Sequence, residues 1–320
     1  MNRRFALIQA LVSLVALAAV VWWATKQESP HIPTGGHALA WVVAGVGLYV
    51  IATLVRAERW YQILEHTGVR TRRADCYALT TVGYMGNNVL PARAGEALRV
   101  VLLSQRCDAS KRTLISSIVA ERLLDVIALL TIFVVTVYGV LSTAKVLPTD
   151  RPLLVTAIGI LLVLAAAAAI WVLRRHHVFE RVRDWLRPLA DAPRALLSLW
   201  GLVLLAGSFL LWTVEASVYW TVARAIEMDI STSGALYLVA LTNFVAALPA
   251  APGSLGTFDA AVAWGAQRLG AFGSVALSYV ILIRFVLYVP ITLVGLVVLV
   301  TRYGGWSRLR SATRLEASRA

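Results

Sequence analysis

Two Leu-Pro-Ala elements, beginning at Leu90 and Leu248, cut through long apolar stretches of this chain and constrain its fold more than any other feature. The segments read Leu90-Pro91-Ala92-Arg93-Ala94-Gly95-Glu96 and Leu248-Pro249-Ala250-Ala251-Pro252-Gly253-Ser254. Proline removes a backbone donor and glycine permits a sharp turn, so neither stretch continues as one helix. Inside the hydrocarbon region a broken helix exposes unpaired N–H and C=O groups, which persist only when buried in protein or lining a wet cavity. A site is therefore expected twice, in corresponding places of two repeats.

The surrounding sequence places these breaks in a membrane. Of the 320 residues 59% are hydrophobic and 15% charged, and mean hydropathy is +0.74, which together point to an all-α polytopic membrane protein forming a single integral domain over residues 1–320. Six runs are long enough to cross: Phe5 to Ala24, Ala38 to Val55, Leu114 to Leu141, Leu153 to Leu173, Leu196 to Ala223 and Ser274 to Thr301. Two further runs, Cys76 to Ser104 and Gly234 to Gln267, hold the breaks at their middles and read as re-entrant helical hairpins. The first run follows basic residues as a signal peptide does, yet ends in Val21-Trp22-Trp23 without a small-residue cleavage site, and reads as a retained span.

The net charge of +13 does not indicate nucleic-acid binding, because the basic residues lie in the gaps between apolar runs. They report topology instead. With both termini cytoplasmic, in a cell inner (plasma) membrane, the segments around Arg3, Arg56 to Arg73, Arg99 to Arg112, Arg174 to Arg194 and Arg302 to Arg319 fall inside. Only Lys26, Lys145, Arg151, Arg224 and Arg268 fall outside, and Arg93, Arg122 and Arg284 lie within the membrane runs. In this topology the two hairpins enter from opposite faces. Residues 76–151 and 234–302 then form an inverted repeat, each a hairpin followed by a helix, and residues 303–320 form a short basic tail.

At the first break one half-helix should end near Asn88 and a second begin near Gly95, whose N-terminus carries partial positive charge. With Arg93 beside it this is a phosphate cradle; the competing reading has Arg93 pair with Glu96 or cap carbonyls at the bend. Asn87 and Asn88 are expected to satisfy backbone around the break. At the second break Pro249, Pro252 and Gly253 shape the chain, and Asp259 falls in the first turn of the returning helix. A helix with an intramembrane arginine follows each break: Arg122 comes 31 residues after Pro91 and Arg284 comes 35 after Pro249. Helical spacing brings Glu121, Arg122 and Asp125 to one edge, about 10 to 12 Å inside the membrane for Arg122, where snorkelling competes with a polar cavity. Glu215 and Arg284, at depths of about 12 and 15 Å from the outer side, are expected to pair, either as a structural pair or as one that breaks during transport and, with Asp259, Pro249, Pro252 and Gly253, gates or couples the outer half.

No His-Glu-x-x-His, Cys-x-x-Cys, Gly-x-Ser-x-Gly or P-loop element is present, so neither a metal, a cofactor nor ATP is called for. The two cysteines, Cys76 and Cys107, read as free thiols.

Asn87 to Glu96, Glu121-Arg122-Leu123-Leu124-Asp125 and Leu248 to Gly256 together resemble the signature segments of the lysylphosphatidylglycerol synthase transmembrane family, which is similar to the flippase domain of the multiple peptide resistance factor. The resemblance implies a flippase or lipid transporter for anionic or aminoacylated phospholipids, or for polyprenyl-linked glycolipids. It places Asn88, Arg93, Glu96, Glu121, Arg122 and Asp125 on polar motif positions. Ser254 stands where a glycine is common, and Asp259 near where a glutamate is common. The tail from Arg302 to Ala320 is too short to supply an aminoacyl-transferase domain, so lysine transfer is not expected. The alternative is a membrane enzyme acting on a lipid-linked sugar or phosphate, with Glu96, Glu121 or Asp125 as base. Expected partners are the membrane lipid substrate and anionic lipid at the basic cytoplasmic loops, and the sequence leaves room for a homo-oligomer.

Overall fold

The computed structural model describes residues 3–30, 34–90, 93–140, 198–247 and 250–305, and these form nine α-helices and no strand. The expected span Leu153 to Leu173, the basic segment Arg174 to Arg194, most of the C-terminal tail, and Pro91 and Pro249 lie outside the described residues.

In chain order the helices are α1 (Arg3–Ala24), α2 (Gly36–His66), α3 (Arg73–Val89), α4 (Gly95–Ser104), α5 (Lys111–Val134, running on as a π-helical stretch Val135–Val140), α6 (Leu199–Ala225), α7 (Thr232–Ala246), α8 (Thr257–Arg268) and α9 (Gly273–Tyr303). Among the described residues α2, α6 and α9 are long and apolar enough to cross a membrane. Their exposed flanks carry apolar side chains such as Val43, Val50, Leu210, Leu293 and Val297, the surface that hydrocarbon solvates. Serine caps open three helices: Ser110, Ser198 and Ser231 accept from the backbone of Thr113, Gly201 and Gly234.

α2 packs antiparallel on α6, with Gly45 against Thr221, Arg56 on Glu215 and Arg59 on Ser208. α3 and α4 fold back on one another where Gly83 and Gly86 meet Gly95, an approach that no side chain at these positions would allow. α9 lies antiparallel along α3, and Gly295 is the point of contact: a Cβ there would sit 2.6 Å from the Thr81 carbonyl. α7 and α8 form the second folded-back pair, with Gly265 against Leu238 and Leu241. One apolar core joins α2, α5, α6, α7, α8 and α9, and a second gathers α3 and α4 around Trp60, Leu79, Leu103, Leu114 and Leu299. The two meet along α3 and α9, which leaves the breaks α3-to-α4 and α7-to-α8 facing each other.

At 31 residues α2 is about 46 Å long, well beyond a hydrocarbon core of about 30 Å. Its buried stripe runs Val42, Gly45, Tyr49, Ala52, Arg56, Arg59, Ile63, so the helix carries two arginines on its packed face. This corrects the reading of Arg56, Arg59 and Arg99 as cytoplasmic charges: all three are buried within helices and paired with carboxylates. The charge bias across the chain keeps its direction without them.

A candidate anion cavity where two helix breaks meet

Each break holds a non-glycine residue in left-handed backbone geometry, Arg93 at φ 53° and Ser254 at φ 49°. Such residues are uncommon outside strained or functional segments. Both reach the same acceptor. Arg93 Nη1 donates to the Ala246 carbonyl at 3.1 Å, and Ser254 Oγ approaches it at 3.5 Å. That carbonyl ends α7, where the helix has no further N–H to offer it. Gly253 (φ 62°) lies against the Asn88 carbonyl, so close that a Cβ would stand 3.3 Å from it. Asn88 in turn donates through Nδ2 to Thr292 Oγ1 at 2.9 Å. The two breaks therefore touch directly, and α9 braces them.

Beside this contact is a cavity of about 90 Å³, room for several waters or a phosphate-sized group. Its charged lining is Arg56, Arg93, Arg122 and Glu215; its aromatic lining includes Tyr49, Tyr84, Trp212 and Tyr288; Asn87, Asn88 and Asn243 complete its polar wall. Glu215 accepts from Arg56 at 2.9 Å, and the guanidinium lies 5.0 Å and 5.1 Å from the ring centres of Tyr84 and Trp212. Among the described residues the buried Arg56 Nε and Trp212 Nε1 have no hydrogen-bond partner, and neither has Asn87 Oδ1. Arg56 is matched by Glu215 and Arg122 by three carboxylates behind it, so Arg93 is the lining guanidinium without a carboxylate partner among the described residues.

Arg122 connects the cavity to a buried ion cluster. It contacts Glu96 at 3.4 Å, Glu121 at 3.0 Å and Asp125 at 3.2 Å. Glu121 also accepts from Arg99 at 2.9 Å, and Asp125 meets Arg59 at 2.7 Å. Arg99 lies 3.9 Å over the Trp60 ring, whose Nε1 donates to Ser117 Oγ. Arg59, Arg99 and Arg122 thus balance Glu96, Glu121 and Asp125, as charges in a low-dielectric interior must.

The expected pairing of Glu215 with Arg284 does not form. Glu215 is taken by Arg56, and Arg284 grips Asp259 through two hydrogen bonds, Nη2 to Oδ2 at 2.8 Å and Nε to Oδ1. Asp259 also accepts from the Gly256 N–H, which fixes it in the first turn of α8 and within reach of α9. Depth alone matched Glu215 to Arg284; local capping decided otherwise. Arg93 does not pair with Glu96 either, because its left-handed backbone carries it to α7 while Glu96 turns to Arg122.

Of the residues read from the sequence, Asn87, Asn88, Arg93, Arg122, Glu215 and Gly253 line the cavity, and Glu96, Glu121 and Asp125 stand behind Arg122. Asp259 is in the Arg284 pair, at one side. Arg284, Pro252 and Gly253 line a neighbouring apolar groove of about 300 Å³ with Leu255, Val289 and Leu293. Cavity and groove share Asn88, Gly253 and Tyr288. Arg56 was missed, although the three-and-four spacing of its stripe would have found it. Among the described residues no cluster of three His, Cys, Asp or Glu side chains could hold a metal.

Residues 7–295 match the family described as Lysylphosphatidylglycerol synthase TM region. The chain belongs to this family. A UPF0104 membrane protein of Methanothermobacter thermautotrophicus is 22% identical over 317 residues, covering 90% of this chain and 93% of that protein. A protein named Glycosyltransferase AglD, of Haloferax volcanii, is 26% identical over 143 residues, 44% of this chain and 23% of that protein, so the likeness spans under a quarter of the glycosyltransferase. No solved structure matches. The family match takes in both breaks and the Glu121 to Asp125 cluster, so the cavity lies wholly inside the shared region.

Proposed function

We propose that this membrane protein is a lipid flippase or transporter that carries an anionic lipid, a phospholipid or polyprenyl-linked glycolipid, between leaflets. The observation that supports this most directly is Arg93, which lines the cavity without an ion pair among the described residues, beside the matched Arg56–Glu215 pair and the cluster-balanced Arg122, at the meeting of two broken helices. The head-group phosphate sits against Arg93, Arg56 and Arg122. The acyl or prenyl chain follows the neighbouring groove, whose apolar wall is open to hydrocarbon. In this reading six full spans surround two inverted re-entrant hairpins, both termini are cytoplasmic, and the hairpins admit the head group from each face in turn.

The same charge bears on the kind of head group. Glu215, the cavity's one carboxylate, is occupied by Arg56, while Glu96, Glu121, Asp125 and Asp259 are engaged by arginines. An aminoacylated head group would bring an ammonium with no free carboxylate to meet it. An anionic lipid is therefore the better substrate.

The likeness to a glycosyltransferase-named protein favours a second reading, an enzyme acting on a lipid-linked sugar or phosphate. Its weakness is chemical, because each candidate base is already ion-paired with at least one guanidinium. Transbilayer movement of labelled anionic lipid in liposomes holding wild type or Arg93→Gln separates the two. Movement lost in the variant, with the lipid unchanged, supports transport; a new lipid product supports the enzyme.

A further inference from the structure

The end of the molecule where α3 begins and α9 finishes has a second cluster of positive charge, separate from the central cavity. Asp75, buried in the first turn of α3, accepts at Oδ1 from both Arg106 Nη1 at 2.8 Å and Arg302 Nη2 at 2.9 Å. Arg106 is held further by the Arg302 carbonyl, at 2.9 Å from Nη2, and lies 4.4 Å over the Tyr303 ring. The Tyr303 hydroxyl, buried beside Asp75, makes no hydrogen bond of normal geometry. Arg70 and Arg72 stand at the other wall, exposed and without an ion pair among the described residues. Between them is an open cleft of about 520 Å³, lined by Arg70, Thr71, Arg72, Asp75 and Arg106.

Two features distinguish this cleft from an ordinary solvated charge patch. First, Arg106 is already immobilised by a carboxylate, a carbonyl and an aromatic ring, so little side-chain entropy remains to be lost when it meets a ligand. Second, α3 opens at Arg72 without a side-chain cap, so its first N–H groups and its dipole add to the field of the arginines. Four guanidiniums surround one carboxylate, and that carboxylate is taken by two of them.

We infer that this cleft is a second anion site, which takes a phosphate group by bidentate contact with Arg70 and Arg72 in the positive field of Arg106. Arg302 and Asp75 act as its positioning residues. The site is independent of the transport reading, since it shares no residue with the central cavity. Its occupant links the start of α3, the turn after α4 and the end of α9, the elements that brace the first break.

The test is native mass spectrometry of the full chain in detergent, titrated with phosphatidylglycerol and, in a parallel arm, with inorganic phosphate. The side chains of Arg70 and Arg72 are exposed and make no ion pair among the described residues, so the double variant Arg70→Gln/Arg72→Gln should fold as wild type does. It is expected to weaken one bound phosphate-bearing ligand by about thirtyfold, as two arginines beside an anion contribute. The control Arg73→Gln/Arg112→Gln removes equal charge from exposed positions outside the cleft and should leave that binding unchanged. Saturation by inorganic phosphate would identify a free anion as sufficient; saturation by phosphatidylglycerol alone would identify a lipid head group. Equal weakening by both double variants, or binding of neither ligand, overturns the proposal.

Discussion

Arg56 and Glu215, 159 residues apart, form an ion pair at 2.9 Å with side chains only 2% and 8% exposed. The pair ties α2 to α6 and forms one wall of the cavity. Removing one partner leaves the other buried and uncompensated, at a cost of about 3 to 5 kcal/mol, whereas replacing both with apolar groups of similar volume is often neutral. Glu215→Leu should therefore lower the unfolding temperature in detergent markedly. Arg56→Met/Glu215→Leu should recover most of that stability while movement of phosphatidylglycerol stays reduced, because the cavity has lost one of its guanidinium groups. Full transport in the double variant would show that the pair is structural alone.

Arg93 presents the opposite balance. It is exposed, and among the described residues its side chain donates to the Ala246 carbonyl. Arg93→Gln should change stability by no more than about 0.5 kcal/mol, the usual range for surface substitutions, yet reduce lipid movement by tenfold or more. Arg93→Gly relieves the left-handed backbone and should be slightly stabilising with the same loss of movement. Thermal unfolding and a liposome assay on the same preparations test both halves.

How far the sequence revealed this arrangement depends on what each residue's signal encodes. The breaks were legible because proline and glycine act locally, and the helices end at Val89 and restart at Gly95 close to where Asn88 and Gly95 were expected. Arg122, Glu121 and Asp125 were legible because helical spacing alone brings them together. Arg56, Arg59 and Arg99 were misread because charge beside an apolar run looks like a topology signal. The distinction lay in the continuing buried stripe through Arg56 to Ile63. Partner choice was least legible: which carboxylate meets Arg284 depends on the Gly256 turn that aims Asp259, a tertiary fact without a counterpart in spacing.

Gly295 brings α9 close against α3, and a Cβ there would stand 2.6 Å from the Thr81 carbonyl. Gly295→Ala should push the helices apart and cost about 1 to 3 kcal/mol, the range for overpacking a filled interior. Because Asn88 and Thr292 bond across the same interface, the variant should also loosen the first break. Hydrogen exchange at Asn87 to Val89 should rise in Gly295→Ala and stay unchanged in a Gly47→Ala control, where a Cβ meets nothing.

Cys107, in the turn after α4, gives a pH-dependent probe. Burial, with Asp108 nearby, pushes its thiol above the ordinary range, outweighing the help of a backbone N–H. The reactive species is the thiolate, so a raised value means less of it at neutral pH. Maleimide labelling should be slow at pH 7 and keep rising with pH beyond the point where a free thiol levels off. Asp108→Asn should shift the profile toward lower pH. Cys76, the chain's other cysteine, is fully buried and should contribute only after unfolding.

The cavity's lack of a free carboxylate makes its preference for lipid charge measurable. Phosphatidylglycerol and lysylphosphatidylglycerol share a phosphodiester, but the second adds amino groups that would meet Arg93 and no free carboxylate. An unpaired like charge at a partly desolvated site costs enough to slow movement by at least tenfold. Wild type should therefore move phosphatidylglycerol faster than its lysylated form in matched liposomes. Arg56→Met, which frees Glu215 to accept an ammonium, should narrow or reverse the ratio. Equal rates for both lipids in wild type would mean that the head group does not dwell beside these arginines, and would remove the cavity charge as the basis of selection.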